Sequence, residues 1–494
     1  MVSKKYKNNI KEKGRIYTPK FIVDNILDLA GYNNNILEKN IIDNSCGDGA
    51  FLIEIVKRYC KFFIKQYGKN KTNLLKNHLE RYIHGIEIEK TEIEKCINNL
   101  NDEVEKFGIK NIKWNLICAD TLTINDFNNQ MDFVVGNPPY VRVHNLANSY
   151  NDVKKFKFSE NGMTDLYIVF FEIGLKMLNS SGKMCLITPS SCLKSKAGIN
   201  FRKYILKNKN LTKIVDLEHF QPFNATTYTM ITLFEIDKKT NCIEYYIYNK
   251  TNKKPQKVET LKYFDIFIGG SIFVSKKENL SLLHQINNYN FNIFGQISVK
   301  NGFATLADSV FIDNFKSEKI TIKTIKASTG KWCRSIFPYN ELGQPIPISE
   351  IKEKSPFVYK HLLKNRDLLE RRSLDSKNQW YLFGRTQAIK DVYKNKIAIN
   401  TIIKDINSIR LELVPVGCGV YSGLYILCDY SIQEIEEVIK SNEFIEYLKL
   451  LKNYKSGGYF TISSSELQKF LTYKLRKNNY EQQSIFTNDS QLVY

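Results

Sequence analysis

The chain has 494 residues, of which 43% are hydrophobic and 13% aromatic. This length and composition predict a globular protein of two or three domains and exclude a disordered or fibrous chain. Lysine and arginine number 72 against 51 acidic residues, which gives a formal net charge of +21. Such an excess favours a polyanionic partner, nucleic acid first, although a basic composition spread over the whole chain is the alternative explanation.

The cysteines, the histidines and the N-terminus disfavour three further classes of protein. The ten cysteines form no Cys-x-x-Cys pair and the six histidines are far apart, so neither a disulfide framework nor a metal cluster is indicated. The first residues lack the apolar run of a signal peptide, and no apolar stretch reaches the length of a membrane span. The sequence therefore predicts a cytoplasmic protein with reduced thiols.

The first predicted element is a helix from residue 16 to about residue 31. Thr18 is suited to the N-cap and Pro19 to the first helical position, while Gly31 follows the last turn. Apolar residues recur at helical spacing through this stretch, which predicts that one face is buried.

Short apolar runs then alternate with helical patterns. Strands are predicted at residues 40–43, 82–88, 116–120, 131–135, 183–188, 213–217 and 229–236. Helices are predicted at residues 50–67, 92–107 and 165–178. Strands that alternate with helices imply a parallel, doubly wound sheet. The pattern becomes irregular after residue 240, so we predict a first domain over 1–240, a second domain of mixed α and β structure over 245–480, and a polar tail over 481–494.

A loop of unusual composition follows the first predicted strand. It reads D-N-S-C-G-D-G-A-F from Asp43 to Phe51, and Gly47 and Gly49 let its backbone turn sharply and approach a ligand closely. No Gly-Lys-Ser/Thr follows, so the loop is not a phosphate-binding Walker A motif. By itself the loop is equally compatible with a plain turn between a strand and a helix.

Acidic residues end the next two predicted strands. Glu87 lies in G-I-E-I and could accept hydrogen bonds from ribose hydroxyls, and Asp120 lies in C-A-D and could accept from the amino group of an adenine ring. Either acid alone is more often a solvated strand end. The carboxyl ends of successive parallel strands share one crevice, however, so these acids and the glycine loop together predict a nucleoside site.

The fourth predicted strand ends in Asn137-Pro138-Pro139-Tyr140. The amide oxygen of Asn137 and the carbonyl of Pro138 are two acceptors in rigid backbone, which suit the two hydrogens of one planar amino group, and the Tyr140 ring can stack on the base that carries it. Two such acceptors localise the nitrogen lone pair for attack on an electrophilic methyl group. The alternative is a turn that only terminates the strand.

These motifs, together with Tyr17-Thr18-Pro19, resemble in order and spacing the adenine-specific, TaqI-like DNA methyltransferases of restriction–modification systems. The resemblance covers the first 240 residues. It implies a class I S-adenosylmethionine-dependent methyltransferase fold, α/β with a mixed sheet, followed by a C-terminal α+β target-recognition domain. It also implies transfer of a methyl group to the 6-amino group of a flipped-out adenine in double-stranded DNA, which protects host DNA. Whether a cognate restriction endonuclease acts on the same site stays open.

The resemblance assigns roles to residues of the first domain. The implied S-adenosylmethionine-binding residues are Tyr17, Thr18, Asp43, Cys46, Gly47, Gly49, Phe51, Glu87, Ile88, Asp120 and Phe170. Asn137, Pro138 and Tyr140 would be catalytic, and Phe223 would stack on the target base opposite Tyr140, with Phe220 as the second choice. Phe170 is equally compatible with a core position, and Asn44 stands where the family often has proline.

The second half contains basic and aromatic segments suited to DNA. The segment W-Y-L-F-G-R-T-Q spans residues 380–387, and Arg385 and Gln387 in it are candidate DNA-binding residues because their side chains can contact phosphates or base edges. The segments at 360–372 and 455–465 have similar character. A solvated face or an aromatic core is the alternative for each.

Three other functions stay open from the sequence. Enzymes that methylate a protein glutamine or an RNA base share G-N-P-P-Y, but the large basic second domain favours DNA. A combined restriction enzyme and methyltransferase would require a nuclease site, for which Glu350 and Lys352 have no preceding Pro-Asp. A DNA-binding protein without catalysis is the third alternative.

Overall fold

A computed structural model describes residues 17–143, 150–223, 227–288, 297–313, 315, 319–372, 374 and 379–475. The chain divides into two compact units, Met1–His284 and Gln285–Tyr494. Each unit has its own cluster of buried apolar side chains. The predicted polar tail at 481–494 lies outside the described residues.

The first unit is built on a nine-stranded sheet flanked by helices. Its strands are β1 (Ile41–Asp43), β2 (Ile83–Glu87), β3 (Asn115–Cys118), β4 (Met131–Gly136), β5 (Leu178–Pro189), β6 (Leu211–Asp216), β7 (Thr229–Glu235), β8 (Cys242–Asn249) and β9 (Lys254–Lys262). The longer helices are α1 (Lys20–Ala30), α2 (Ala50–Tyr67), α3 (Thr72–Tyr82), α4 (Lys90–Glu105), α5 (Leu166–Met177) and α6 (Ile199–Asn208). A short hairpin of β10 (Phe267–Ile268) and β11 (Ser271–Ile272) lies outside the sheet, and α7 (Lys277–Asn288) crosses the division between the units.

The order of the strands places a crevice at the middle of the sheet. The order is β3-β2-β1-β4-β5-β7-β6-β8-β9. The first five strands in this order run parallel to one another. β7 runs antiparallel to both β5 and β6, so the sheet is mixed rather than wholly parallel. The chain order reverses between β1 and β4, and ligands of open α/β sheets bind beyond the strand ends at such a point.

The first helix is shorter at its start than the sequence predicts. Pro19 has an extended backbone and is the residue before the helix rather than its first residue, so Thr18 is not the N-cap. The end agrees with the prediction, because Gly31 has a left-handed backbone at φ 81° and its N–H donates to the carbonyl of Asp28. The apolar face of α1 is buried in the core, as expected from its periodicity.

The division between the units lies beyond the predicted boundary at 240–245. β8 pairs in parallel with β6, and β9 pairs with β8, so both strands extend the sheet of the first unit. In β8 buried positions are interspersed with partly buried ones, whereas β9 has a single buried residue and carries several exposed lysines. That mixed composition is why the stretch resembled the start of another domain in the sequence.

The second unit combines short strands with helices, as predicted. Its strands are β12 (Ser298–Asn301), β13 (Ile312–Asp313), β14 (Thr321–Lys326), β15 (Lys331–Ile336), β16 (Lys396–Ile399), β17 (Ile402–Ile403), β18 (Leu411–Val414), β19 (Gly419–Tyr421), β20 (Leu424–Leu427), β21 (Tyr454–Lys455) and β22 (Tyr459–Thr461). Its α-helices of five or more described residues are α8 (Ile348–Lys354), α9 (Pro356–Lys364), α10 (Arg366–Glu370), α11 (Ile432–Ile439) and α12 (Asn442–Leu451), and residues 464–475 are also helical. Within the described ranges, none of the helices combines the length and apolar composition needed to cross a membrane.

Candidate active site

The glycine loop begins at Asp43, the last residue of β1, and leads into α2. Gly47 and Gly49 both have left-handed backbones, at φ 53° and 93°. A side chain on Gly49 would come within 2.7 Å of the Cys96 sulfur, whereas a Cβ on Gly47 would meet no described atom within 4 Å. The loop therefore packs against α4 on one side and leaves open space at Gly47, where a ligand could approach the backbone.

Glu87 connects this loop to the end of β2. Its Oε2 accepts a hydrogen bond from the Gly47 N–H at 3.1 Å, and its Oε1 accepts from the Glu89 N–H at 3.0 Å. The neighbouring Ile88 side chain is 59% exposed. The carboxylate thus lies at the end of β2, as the sequence predicted, and its role in binding hydroxyls stays a prediction.

Asp43 is buried at the end of β1, close to the carboxylate of Glu87. Burial is the main cause that raises the pKa of its carboxyl from 3.8 to about 7, and the nearby charge of Glu87 raises it further. Hydrogen bonding from Ser45, whose N–H lies 3.0 Å from Oδ1, acts in the opposite direction. Only 1% of the residue is exposed. A cation placed beside Asp43 would therefore be strongly favoured, because it would compensate a buried negative charge.

Asp120 lies two residues beyond β3 rather than at its last position. It is the N-cap of a short helical turn, Thr121–Thr123, and its Oδ1 accepts from the Leu122 N–H at 3.0 Å. The hydroxyl of Thr121 donates to the carbonyl of Asn44 at 2.7 Å. This bond ties the segment after β3 to the glycine loop, which puts Asp120 next to the same crevice.

The tetrad begins where β4 meets Asp43. A Cβ on Gly136 would come within 2.7 Å of Asp43 Oδ1, so Asn137 is the residue that directly follows this contact. The Asn137 Nδ2 donates to the Thr18 hydroxyl at 3.1 Å. Because that bond fixes the amide nitrogen toward Thr18, it also fixes the direction of the amide oxygen. Pro138, which follows, is buried.

Aromatic side chains surround the end of the tetrad. The Tyr140 hydroxyl donates to the Ile187 carbonyl on β5 at 3.2 Å, and burial raises the pKa of that hydroxyl. The Phe223 ring lies edge-on to the Tyr140 ring, with 6.4 Å between centroids. Phe220 instead stacks on Tyr248 at 5.0 Å. Of the two candidates for the target-base ring, Phe223 is therefore the one beside the tetrad.

Tyr167 is a neighbour of the site that the sequence analysis did not find. Its ring lies 6.1 Å from that of Tyr140, and its hydroxyl is 2.9 Å from the Ser191 hydroxyl, after β5. The segment D-L-Y-I-V-F resembled a known motif only through Phe170, so Tyr167 gave no separate signal. Tyr167 holds Tyr140 from the side of α5.

The remaining candidate cofactor residues differ in exposure. Phe51 and Phe170 are buried at 2% and 5% exposure, and Cys46 is buried with its N–H donating to the carbonyl of Ile86 at 3.0 Å. Tyr17 is 56% exposed ahead of α1.

The fold and the site define a class I S-adenosylmethionine-dependent methyltransferase. The mixed sheet, the open glycine loop and the acid at the end of β2 are those that the resemblance implied. The buried, readily protonated Asp43 fits a cationic cofactor, and S-adenosylmethionine carries a positive charge on the sulfur that supplies its methyl group.

Comparisons with known proteins show what the chain is similar to. Residues 26–223 match the Eco57I restriction-modification methylase family. The type II methyltransferase M.BstVI of Geobacillus stearothermophilus is 26% identical in an alignment of 420 positions that covers 74% of this chain and 73% of that protein. The type II restriction enzyme and methyltransferase RM.Eco57I of Escherichia coli is 23% identical in an alignment of 532 positions that covers 88% of this chain and 53% of that protein.

Solved structures agree on the fold. The type IIL restriction-modification enzyme MmeI in complex with DNA matches with a TM-score of 0.63 and 13% identity, over 90% of this chain and 64% of that chain. The DrdV–DNA complex matches with a TM-score of 0.54 and 12% identity, over 87% and 51%. The chain thus spans about half to three quarters of the length of these relatives. Over residues 26–223 it is similar to the Eco57I restriction-modification methylases, and together with its relatives this identifies it as a restriction–modification methyltransferase.

The candidate DNA-binding residues of the second unit lie on one exposed turn. Tyr381, Leu382 and Phe383 are buried, so the aromatic-core alternative holds for that part of the segment. Arg385 and Gln387 are exposed. The Gln387 Nε2 donates to the carbonyl of Gly302 at 3.2 Å. This bond ties the turn to the residue that follows β12.

The contact between β4 and Asp43 leads to a prediction for Gly136→Ala. The added methyl group would overlap a buried carboxylate that has little room to move, so we expect the free energy of unfolding to fall by about 1–3 kcal/mol. We also expect S-adenosylmethionine to bind more weakly, as measured by calorimetric titration. Gly108→Ala is the control, because Gly108 has a left-handed backbone at φ 74° but open space around it. Equal losses of cofactor affinity in both variants would contradict the prediction.

Proposed function

We propose that the protein methylates the 6-amino group of adenine in double-stranded DNA, as the modification activity of a restriction–modification system in the cytoplasm. The observation that supports this most directly is the position of Asn137, one residue from the contact with Asp43 and oriented by Thr18. An acceptor oxygen there would lie beside the methyl donor. The lone pair of an adenine amine is delocalised into its ring, so acceptors that hold its hydrogens would favour attack on the methyl group.

The aromatic rings beside the tetrad support a base as the methyl acceptor. Tyr140 and Phe223 offer flat apolar surfaces near Asn137, and a planar base gains more from such surfaces than a glutamine side chain would. A base that reaches a crevice beyond the ends of β-strands has to leave the DNA stack. Base flipping therefore follows from the proposed chemistry and is part of the proposal.

The second unit is proposed to be the target-recognition domain. The chain's net charge of +21 suits a polyanion, and MmeI and DrdV, whose folds are similar, were both solved with DNA. Arg385 and Gln387 remain the candidate contacts with DNA. Because they are exposed on one turn, their side chains are accessible to such a partner.

A methyl-transfer assay with identification of the product tests the proposal. Duplex DNA of mixed sequence is incubated with the protein and radiolabelled S-adenosylmethionine, then digested to nucleosides and analysed by mass spectrometry. We expect labelled N6-methyladenine. Label in methylcytosine, or transfer to RNA or a glutamine peptide in preference to DNA, would overturn the assignment.

Phe223→Ala and Phe220→Ala should separate the two candidate stacking rings. Stacking of a base on an aromatic ring contributes about 1–3 kcal/mol, so we expect Phe223→Ala to lower methylation of a duplex by about 5- to 150-fold. The loss should be smaller when the target adenine is mismatched, because less energy is then needed to expose it. Phe220→Ala removes the stack on Tyr248 and should lower thermal stability with near-normal activity. The reverse pattern would assign the role to Phe220.

A further inference from the structure

The second unit contains a cavity of about 640 Å³. One wall is formed by Leu382, Phe383, Thr386 and Gln387, which belong to the aromatic segment at 380–387. The volume is within the range of sites that bind small molecules or single nucleotides, roughly 300–1,000 Å³. The exposed turn of this segment therefore borders a cavity as well as solvent.

Three lysines line the same cavity, against one carboxylate. They are Lys300 on β12, and Lys390 and Lys394 in and after the helical turn Ile389–Tyr393. Asp391 is the carboxylate and is only 3% exposed. The lining thus carries a surplus of positive charge in a concave place, where the field of several cations adds up.

Asp391 forms ion pairs with two of these lysines. Its Oδ2 is 2.7 Å from the Lys300 Nζ and also accepts from the Tyr425 hydroxyl at 2.9 Å, while its Oδ1 is 3.0 Å from the Lys394 Nζ. The buried Lys396 Nζ also donates to the backbone of this turn, at the carbonyls of Asp391 and Lys394, at 2.8 and 2.9 Å. The turn that carries the cations is therefore held rigidly from inside the unit.

Lys390 differs from its two neighbours. Its side chain is exposed, and among the described residues it forms no ion pair. Its stem passes close to Gly343, where an added Cβ would come within 2.9 Å of the Lys390 Cγ. Its charge is thus available to an anion at the edge of the cavity, while Lys394, 60% exposed, keeps a second cation nearby.

We propose that this cavity is a contact site for DNA, in which Lys390 and Lys394 bind a backbone phosphate and Gln387 lies next to the adjoining nucleotide. The proposal rests on the proposed function, because it takes double-stranded DNA as the partner. In this turn Asp391 neutralises the charge of Lys394, and the charge of Lys390 is left for a ligand. One available positive charge suits a phosphate diester, which carries a single negative charge. Gln387 can then donate to or accept from a base edge.

Lysine labelling tests the site without any substitution. The full-length protein is treated with an acetylating reagent in the presence and absence of a short duplex that it methylates, and labelling of each lysine is measured by mass spectrometry. We expect DNA to slow the labelling of Lys390 and Lys394 several-fold. Lys440 and Lys449, which are partly exposed near and on α12, should label equally in both samples. Equal labelling of all four lysines would overturn the inference.

The salt dependence of binding gives a second, independent test. Each phosphate contact contributes about −0.9 to the slope of log affinity against log salt concentration. The variant Lys390→Gln/Lys394→Gln loses one phosphate contact and should therefore lower the magnitude of the slope by about 1, whereas Lys440→Gln/Lys449→Gln, with the same loss of charge, should not. Equal slopes in the two variants would overturn the inference even where the wild type methylates adenine. A wild type that binds no DNA would overturn both this inference and the proposed function.

Competition distinguishes DNA from a free nucleotide as the source of the phosphate. Adenosine monophosphate is added at millimolar concentration to the labelling reaction without DNA. We expect no protection of Lys390 by the mononucleotide, since one phosphate lacks the neighbouring contacts of a duplex. Protection by the mononucleotide and not by DNA would overturn the assignment of the cavity to the DNA backbone.

Discussion

Replacing Asn137 by alanine is expected to lower the rate of methyl transfer by about 10²–10³-fold while S-adenosylmethionine still binds. The substitution removes an acceptor oxygen aimed at the reacting amino group, and preorganised groups of this kind have effects of that size. Asn137 follows the residue that touches Asp43, but its own amide contacts Thr18. Binding of the cofactor, measured by calorimetric titration, should therefore change little, and the loss should be in kcat.

Asn137→Asp is the matched control for this variant. It keeps an acceptor oxygen and the size of the side chain, and the Thr18 hydroxyl can reverse to donate where it now accepts. We expect it to retain more activity than Asn137→Ala. A rate for Asn137→Ala within about fivefold of the wild type would show that the tetrad only terminates β4, and the proposed mechanism would be wrong.

The segments around the site could be predicted because each has a local pattern. Apolar runs that stop at Asp43, at Glu87 and at Asn137 mark strands whose ends are polar. Because strands that alternate with helices run parallel, those ends lie at the same edge of the sheet. The helix predicted at residues 50–67 matches α2, Ala50–Tyr67, because a left-handed glycine precedes it and another glycine follows it. A pattern within a few residues is sufficient for elements of this kind.

Contacts between distant segments could not be predicted in the same way. Thr18 was expected to cap α1, but its hydroxyl accepts from Asn137, 119 residues away. Lys300 and Asp391 are 91 residues apart and form an ion pair only because the fold of the second unit brings β12 beside the turn after the aromatic segment. Helix α3 was missed because it shows only two buried side chains, too weak a periodicity to detect.

Replacing Asp43 by asparagine is expected to stabilise the cofactor-free protein above pH 7. The pKa of Asp43 is raised to about 7, so the folded protein holds this proton more tightly than the unfolded chain, in which the ordinary value of 3.8 applies. The free energy of unfolding of the wild type should therefore fall as the pH rises from about 4 to about 7, by at most about 4 kcal/mol from this group, and then level off. Asparagine has no such proton, so this part of the pH dependence should disappear.

The same residue should make cofactor binding depend on pH. A cation beside Asp43 favours the ionised carboxylate, so below pH 7 binding must be accompanied by loss of a proton. The affinity for S-adenosylmethionine should then rise with pH, by up to about tenfold per unit between about pH 5 and 7, and become constant above that range. Asp43→Asn should bind at least about tenfold more weakly at pH 8 and show little dependence on pH.

Asp216→Asn is the control for both measurements. Asp216 is also a buried aspartate at the last position of a strand, β6, and accepts from the Glu218 N–H at 2.8 Å. Melting temperature and calorimetric affinity are measured from pH 5 to 8 for the three proteins. We expect Asp43→Asn alone to be stabilised without cofactor and to lose affinity for it. That result would show that the buried charge of Asp43 destabilises the cofactor-free protein and that the positive charge of the cofactor compensates it. If the wild type and Asp43→Asn show the same pH dependence, Asp43 does not face the charge of the cofactor, and the glycine loop must bind it by other groups.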